Sequence, residues 1–152
     1  MHLMMDGYGA NRSKMEDRDF IYQVLDEFPD RINMHKIMQP HVIRYVGEKP
    51  EDWGISGFVI IAESHISIHT FPERSYMNID VFSCMDFEPE KAIKEMQRIF
   101  ELKRVRSWFV ERGITYPHQL QAMAEIMQSE RLEIKEAPRR NSNAKSRVTL
   151  AK

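Results

Sequence analysis

The chain has 152 residues, of which 42% are hydrophobic, and this suffices for one compact domain with a sizeable core and a tail. Its 22 basic and 23 acidic residues give a formal net charge of -1, which favours neither a nucleic acid nor an anionic membrane as partner. No apolar run approaches the roughly 18 residues of a membrane span, and the first residues lack a signal-peptide pattern, so we expect a soluble cytoplasmic protein.

Few residues are available for disulfide or metal chemistry. Cys84 is the single cysteine, so neither an intramolecular disulfide nor a four-cysteine metal site can form. His65 and His69 are four residues apart, but they lie in strand-like sequence, where this spacing separates two side chains too far to share an ion. We therefore predict no metal site.

The first half of the chain predicts a strand, a helix and two further strands. Apolar residues from His2 to Tyr8 predict the first strand. Apolar residues at three- and four-residue spacing then predict a helix that begins at Met15 and ends at Pro29. Two short runs, residues 32–37 and 41–46, have strand character and are separated by a proline.

The stretch from residue 54 to 73 combines core and polar character. An apolar run at residues 58–62 turns polar at 63–65 and then alternates between apolar and polar side chains, which predicts two buried strands that meet at a polar junction. Residues 54–57, GISG, are interpreted as a turn before this run. Hairpins more often place Asn-Gly or Asp-Gly at such a junction, whereas this one has a carboxylate, a hydroxyl and an imidazole. A plain hairpin with solvated polar residues remains the alternative.

A second alternating strand and a second helix follow. Residues 77–84 alternate cleanly, and this parity places Cys84 on the same face as His69. A helix that begins at Pro89 presents an apolar stripe to the sheet, and residues 104–110 predict a final strand. This order of elements predicts an α+β fold, a two-layer sandwich with a mainly antiparallel sheet and helices on one face.

The character of the sequence changes after residue 115. We predict one domain at residues 1–115 and a C-terminal helical extension at residues 116–137. Residues 138–152 are basic and contain little to bury, so we expect a disordered tail.

The polar junction contains groups suited to self-cleavage. A serine that attacks the carbonyl of its preceding residue needs a strained peptide, a base for its hydroxyl, and donors for the developing oxyanion. The Glu63-Ser64 bond, with His69 and Ser56 close in sequence, could meet these needs. Each residue also has a structural explanation: Ser56 as a turn residue, His69 as a strand histidine and Cys84 as core filler. Spacing alone leaves both interpretations open.

Three blocks of sequence favour the self-cleavage interpretation. The block AESHISIHTFPE at residues 62–73, with GISG at 54–57 and IDVFSC at 79–84, resembles the small prokaryotic S-adenosylmethionine decarboxylase proenzymes. The opening HLMMDGYG at residues 2–9 is also similar to the first strand of that family, and the likeness extends to about Gly113. Members of this family are self-cleaving, pyruvoyl-dependent lyases.

The resemblance implies a role for each residue of the junction. Ser64 attacks the Glu63 carbonyl, so the chain splits between residues 63 and 64, and a pyruvoyl group that forms the Schiff base with substrate is derived from Ser64. His69 is implied as the proton acceptor in processing, assisted by Ser56. Cys84 is implied as the proton donor in catalysis.

The resemblance also implies a substrate and an assembly. The substrate is S-adenosylmethionine, which is decarboxylated to S-adenosylmethioninamine for spermidine biosynthesis. Glu73 occupies the position of a carboxylate that accepts hydrogen bonds from ribose, and Phe71, Trp53 or Tyr45 would stack on adenine. The expected assembly is a homodimer of processed two-chain protomers with sites near the subunit interface.

Local departures from the family pattern leave two alternatives. Phe71 stands where the family usually has tryptophan, residues 77–78 replace a pair of small residues, and residues 48–53 form a longer, more acidic loop. A pyruvoyl-dependent arginine or ornithine decarboxylase of the same family is one alternative. The other is an uncleaved regulatory paralogue, against which the intact junction residues argue.

Overall fold

The computed structural model describes residues 1–49 and 51–111. The predicted helical extension and the predicted disordered tail lie outside these residues. Within the described part, six antiparallel strands form one sheet that packs against helices, so the predicted α+β sandwich is confirmed. None of the helices described is long and apolar enough to cross a membrane.

The elements follow one another with short connections. In chain order they are β1 His2–Tyr8, α1 Arg12–Glu16, α2 Arg18–Arg31, β2 His41–Val46, β3 Trp53–Ile61, β4 Ser64–Phe71, a 3₁₀ turn Pro72–Arg74, β5 Tyr76–Ser83, α3 Pro89–Phe100 and β6 Arg104–Val110. The order in the sheet is β2-β3-β4-β5-β1-β6. The first strand in sequence therefore lies between the last two.

The two faces of the sheet differ in chemistry. One face packs against the helices in a single core, whose largest fully buried side chains include Phe28, Phe100, Leu3 and Met5. Because side chains alternate along a strand, every second strand residue points to the opposite side of the sheet. In the described part of the chain, no strand side chain on that side is fully buried. We call this side the open face. It includes His65, Ser67, His69 and Phe71 of β4.

The predicted first helix differs from the observed one in two respects. It is divided at Asp17, whose carboxylate accepts hydrogen bonds from the backbone N–H groups of Asp19 and Phe20, both at 2.9 Å, and so caps α2. The prediction that Pro29 ends the helix is wrong, since α2 continues to Arg31. Pro29 lies in the last turn, where it interrupts a single backbone hydrogen bond, and its ring is buried.

The predicted strand at residues 32–37 is wrong. The chain leaves α2 through Asn33, which has a left-handed φ of 59°, and only Lys36 forms an isolated bridge, to Ile61 of β3. Seven of the predicted elements are confirmed: the strands at 2–8, 41–46 and 104–110, the two strands that meet at the polar junction (β3 and β4), the strand after residue 76, and the helix from Pro89.

The prediction of a turn at residues 54–57 is also wrong, because these residues lie inside β3. The glycines serve close packing. A Cβ on Gly54 would lie 1.8 Å from the carbonyl oxygen of Thr70 on β4, and a Cβ on Gly57 would lie 2.7 Å from Leu25 of α2. Glycine at these positions lets the neighbouring strand and helix approach β3.

Candidate active site

The peptide between Glu63 and Ser64 lies where β3 turns into β4 through a two-residue turn, Ala62 and Glu63. Ser64 has a φ of 153°, in a region that residues with a side chain rarely adopt. The Glu63 carbonyl oxygen accepts a hydrogen bond of 2.9 Å from the backbone N–H of Cys84. A strained peptide thus presents its carbonyl to a fixed donor, which is the arrangement that stabilises an oxyanion. We call Glu63, Ser64 and Cys84 the turn cluster.

Cys84 reaches this position because β5 ends just before it, at Ser83. The buried Ser83 hydroxyl donates to the Met85 carbonyl at 2.7 Å and accepts from the Met85 N–H at 3.0 Å, so it closes a local bend. The alternation that predicted a shared face for Cys84 and His69 therefore stops one residue early. Cys84 is exposed, its thiol is free, and its backbone N–H contacts Glu63.

The imidazole that contacts the Ser64 hydroxyl belongs to the next residue. Ser64 Oγ lies 3.2 Å from His65 Nδ1. His69 is five residues further along β4, which corresponds to about 16 Å in a strand, so it does not reach Ser64 within one protomer. Sequence reasoning gave His65 no role in processing, although its position directly after the serine was a signal.

His69 is instead paired with Ser56. The two residues are directly opposite each other on β4 and β3, and His69 Nδ1 lies 3.0 Å from Ser56 Oγ. The sheet therefore brings together the histidine and the serine that the resemblance assigns to proton transfer in processing. Both side chains are partly exposed on the open face.

An aromatic cleft of about 170 Å³ adjoins this pair. Tyr45, Trp53 and Phe71 line it together with Ser56. These are the three aromatic residues that the sequence offered for stacking on adenine, and the fold places them around one cavity. Phe71 is itself held by a stacked contact with Tyr76, with ring centroids 5.6 Å apart.

Glu73 lies at the side of this cleft, in the 3₁₀ turn after β4. Its Oε1 accepts hydrogen bonds from Arg12 Nη2 at 2.5 Å and from Trp53 Nε1 at 3.3 Å. Arg12 Nη1 donates to the other oxygen at 3.2 Å. Donation by Arg12, and then by Trp53, lowers the pKa of the Glu73 carboxyl, so it is ionised at neutral pH. Nothing in the sequence around Arg12 indicates this contact, because the partners are far apart in the chain.

The candidate residues therefore form two groups rather than one. We call Ser56, His69, Phe71 and Glu73 the cleft cluster. It lies towards the far end of β4 from the turn cluster, and Ser64 and Phe71 are about 23 Å apart at the ordinary rise of a strand. Neither group alone contains both the strained peptide and the predicted base.

Comparison with known proteins gives consistent results. The family model described as S-adenosylmethionine decarboxylase matches residues 1–113. A proenzyme of that name from Clostridium botulinum strain Hall is 31% identical over 113 residues, 74% of this chain and 92% of its own. The Aquifex aeolicus proenzyme is 34% identical over 137 residues, 88% of this chain and 96% of its own. The crystal structure of adenosylmethionine decarboxylase from Aquifex aeolicus matches with a TM-score of 0.62 and 31% identity, over 78% of this chain and 92% of that one.

Proposed function

This chain belongs to the S-adenosylmethionine decarboxylase family, and from that membership we propose that it cleaves itself between Glu63 and Ser64 and then decarboxylates S-adenosylmethionine. The product is S-adenosylmethioninamine, the precursor for spermidine biosynthesis. The observation that carries the proposal is the Glu63-Ser64 peptide, which combines a positive φ with a backbone donor on its carbonyl.

The proposed self-cleavage has three steps. Ser64 Oγ attacks the Glu63 carbonyl carbon, its proton passes to a base, and the C–N bond breaks as the Ser64 nitrogen takes up a proton, which leaves an ester. Loss of the Ser64 Cα proton and cleavage of its Cβ–Oγ bond then release Glu63 as a carboxylate and leave dehydroalanine. Water replaces the nitrogen, which departs as ammonia, and a pyruvoyl group remains. The Cys84 N–H donates to the oxygen that becomes negative in the first step.

The residues around Ser64 fit such a group. The pyruvoyl group supplies a ketone that condenses with the substrate amine and accepts the electrons left by CO₂. Cys84 is exposed and comes directly after Ser83, whose hydroxyl holds the bend at the end of β5. We assign the Cys84 thiol to protonation of the substrate α-carbon. A catalytic thiol needs a reducing compartment, which supports a cytoplasmic location.

The separation of the two clusters supports a homodimer of two-chain protomers. The open face exposes apolar side chains on three strands: Ile43 is 47% exposed, Phe58 39% and Trp108 43%. Two sheets packed face to face about a twofold axis would bury them. The same symmetry can bring the cleft cluster of one protomer to the turn cluster of the other, so that each site takes residues from both.

In this composite site each residue of the cleft cluster has a function. His69, oriented by Ser56, is the proton acceptor in processing on the other protomer. The adenine stacks in the cleft on Phe71, with Tyr45 and Trp53 nearby. Glu73, kept ionised by Arg12, retains acceptor capacity for ribose hydroxyls.

Intact-mass measurement tests self-cleavage directly. We expect wild-type chain to split into two species whose masses place the cut between Glu63 and Ser64, and Ser64→Ala to remain whole. A wild-type chain that stays full-length across a range of pH would refute the proposal.

Complementation tests the composite site. A His69→Ala chain alone should stay uncut, as should a Ser64→Ala chain. Co-expressed, they form heterodimers in which the intact Ser64 of one chain meets the intact His69 of the other, so the His69→Ala chain should be cleaved. Failure of cleavage in a heterodimer isolated with two tags would exclude a composite site.

Release of labelled CO₂ tests the substrate. Purified, cleaved protein should release it from carboxyl-labelled S-adenosylmethionine and not from arginine or ornithine. Turnover of arginine or ornithine in the absence of S-adenosylmethionine turnover would refute the assigned substrate while leaving the processing step intact.

A further inference from the structure

Residues 35–37, which we call the edge segment, run along β3 next to the turn cluster. The Ala62 N–H donates to the His35 carbonyl at 2.7 Å, and the Ile37 N–H donates to the Ile60 carbonyl at 3.1 Å. β2 pairs with β3 only as far as Phe58, so the edge segment takes up the pairing of the last residues before the turn. The backbone that precedes Glu63 is therefore fixed from this side.

His35 also binds the Glu63 side chain through both carboxylate oxygens. The His35 backbone N–H donates to Oε2 at 3.1 Å, and its Nδ1 lies 3.0 Å from Oε1. The Glu63 side chain is only 11% exposed, whereas the His35 side chain is 80% exposed. Partial burial raises the pKa of the Glu63 carboxyl, but hydrogen bonds from the His35 ring and backbone outweigh it and leave the pKa below its usual range.

Glu63 is thus held at two points. Its carboxylate is bound by His35 and its carbonyl by the Cys84 N–H, while the next residue has the positive φ. A turn held on one side only could rotate to relax Ser64. With both points fixed, relaxation would break a hydrogen bond to an ionised group, so the strain stays in the peptide that reacts.

We propose that His35 is a positioning residue for self-cleavage, which anchors Glu63 so that its carbonyl stays on the Cys84 N–H while Ser64 stays strained. This inference rests on the proposed function, since it assigns a determinant of the same processing step. His35 has no contact with Ser56, His69 or the cleft residues among the contacts of the described chain. Once the chain is cut, Glu63 is no longer joined to residue 64, so we expect His35 to act on the rate of cleavage and not on the later turnover of substrate.

The test compares three variants of full-length protein made by cell-free synthesis, with the cleaved fraction followed over time by intact mass. His35→Ala removes the ring contact, and we expect cleavage to slow by roughly five- to tenfold, because the His35 side chain is 80% exposed and water weakens its hydrogen bond to the carboxylate. His35→Asn offers an amide donor near the position of Nδ1 and should restore the rate to within about threefold of wild type. Ile37→Ala is the matched control, because its side chain is 64% exposed and its backbone bond is kept.

Two readouts separate positioning from a general loss of structure. The thermal midpoint of His35→Ala should stay close to that of Ile37→Ala, and CO₂ release per cleaved protomer should equal that of wild type. In a Glu63→Gln background, His35→Ala should slow cleavage by a smaller factor than in wild type, because the charged partner is already gone.

Equal cleavage rates for His35→Ala and Ile37→Ala, beside a wild type that cleaves, would overturn the inference alone. A loss of turnover per cleaved protomer without a change in cleavage rate would overturn it as well. A wild type that stays whole would overturn the proposed function and the inference with it.

Discussion

Replacing Ser64 by glycine or by alanine tests the strain at the scissile peptide. Both variants lack the proposed nucleophile, so we expect both to remain uncut, and they differ only in whether residue 64 has a Cβ. A positive φ on a residue with a side chain costs about 1–3 kcal/mol, whereas glycine inside a strand ordinarily costs about 0.5–1 kcal/mol relative to alanine. With φ at 153°, the first effect exceeds the second, so we expect Ser64→Gly to be the more stable by about 1 kcal/mol.

Urea unfolding of the two uncut proteins at neutral pH measures this difference. The control uses Ser67, a residue of the same strand that is not among those with positive φ in the described chain. In the Ser64→Ala background, Ser67→Gly should be less stable than Ser67→Ala by about 0.5–1 kcal/mol, the ordinary order for a strand. The same order at residue 64 would refute the idea that the peptide is strained before it reacts.

Contacts around the cleft make three further outcomes measurable in the uncut Ser64→Ala chain. Thr70→Val should lower the free energy of unfolding by about 1–3 kcal/mol, measured in urea, because the buried Ile55 N–H loses its acceptor, Thr70 Oγ1 at 2.9 Å. Gly54→Ala puts a Cβ 1.8 Å from the Thr70 carbonyl oxygen, so β3 and β4 must separate there. We expect the free energy of unfolding to fall by about 1–3 kcal/mol or more, and substrate to bind more weakly when measured by calorimetry. Glu73→Gln should lower the thermal midpoint at pH 7. Because Arg12 lowers the pKa of folded Glu73, its stabilising contribution is complete above the unfolded pKa of about 4.3 and is lost as the pH falls through the folded value, so the gap between the two proteins should close at acid pH. A gap that stays constant with pH would show that the ion pair does not stabilise the fold.

Periodic burial made most of the fold predictable from sequence. The alternation of Ile66 and Ile68 with polar residues indicated a strand with one buried face, and the apolar stripe after Pro89 indicated a helix on the sheet. Both signals are local. Pro29 and the residues at 54–57 were misinterpreted because their conformations depend on distant contacts: Pro29 is buried in the last turn of α2, and close packing on β3 requires the glycines.

The sequence indicated candidate residues for the site but not how the fold arranges them. Family resemblance indicated Ser64, His69 and Cys84, but their closeness in sequence suggested one cluster. Ser64 and His69 both lie in β4, and five residues of a strand extend over about 16 Å, so His69 lies far from Ser64. The extended conformation that made β4 recognisable in the sequence is therefore what separates them. The contact of Cys84 with Glu63 depends on a bend held by one serine hydroxyl, and alternation contains no signal for where a strand stops.

The order of strands in the sheet determines how the protein can refold once it is cut. Cleavage after Glu63 would place β1, β2 and β3 on one chain and β4, β5 and β6 on the other, while β1 lies between β5 and β6 and β3 pairs with β4. The single sheet is therefore built from interleaved strands of both chains, and neither chain forms the complete sheet by itself. The precursor can assemble this topology in a first-order reaction, whereas the separated products would need a second-order encounter whose rate falls on dilution. Folding has to precede cleavage, and unfolding of the mature enzyme at low concentration would be effectively irreversible.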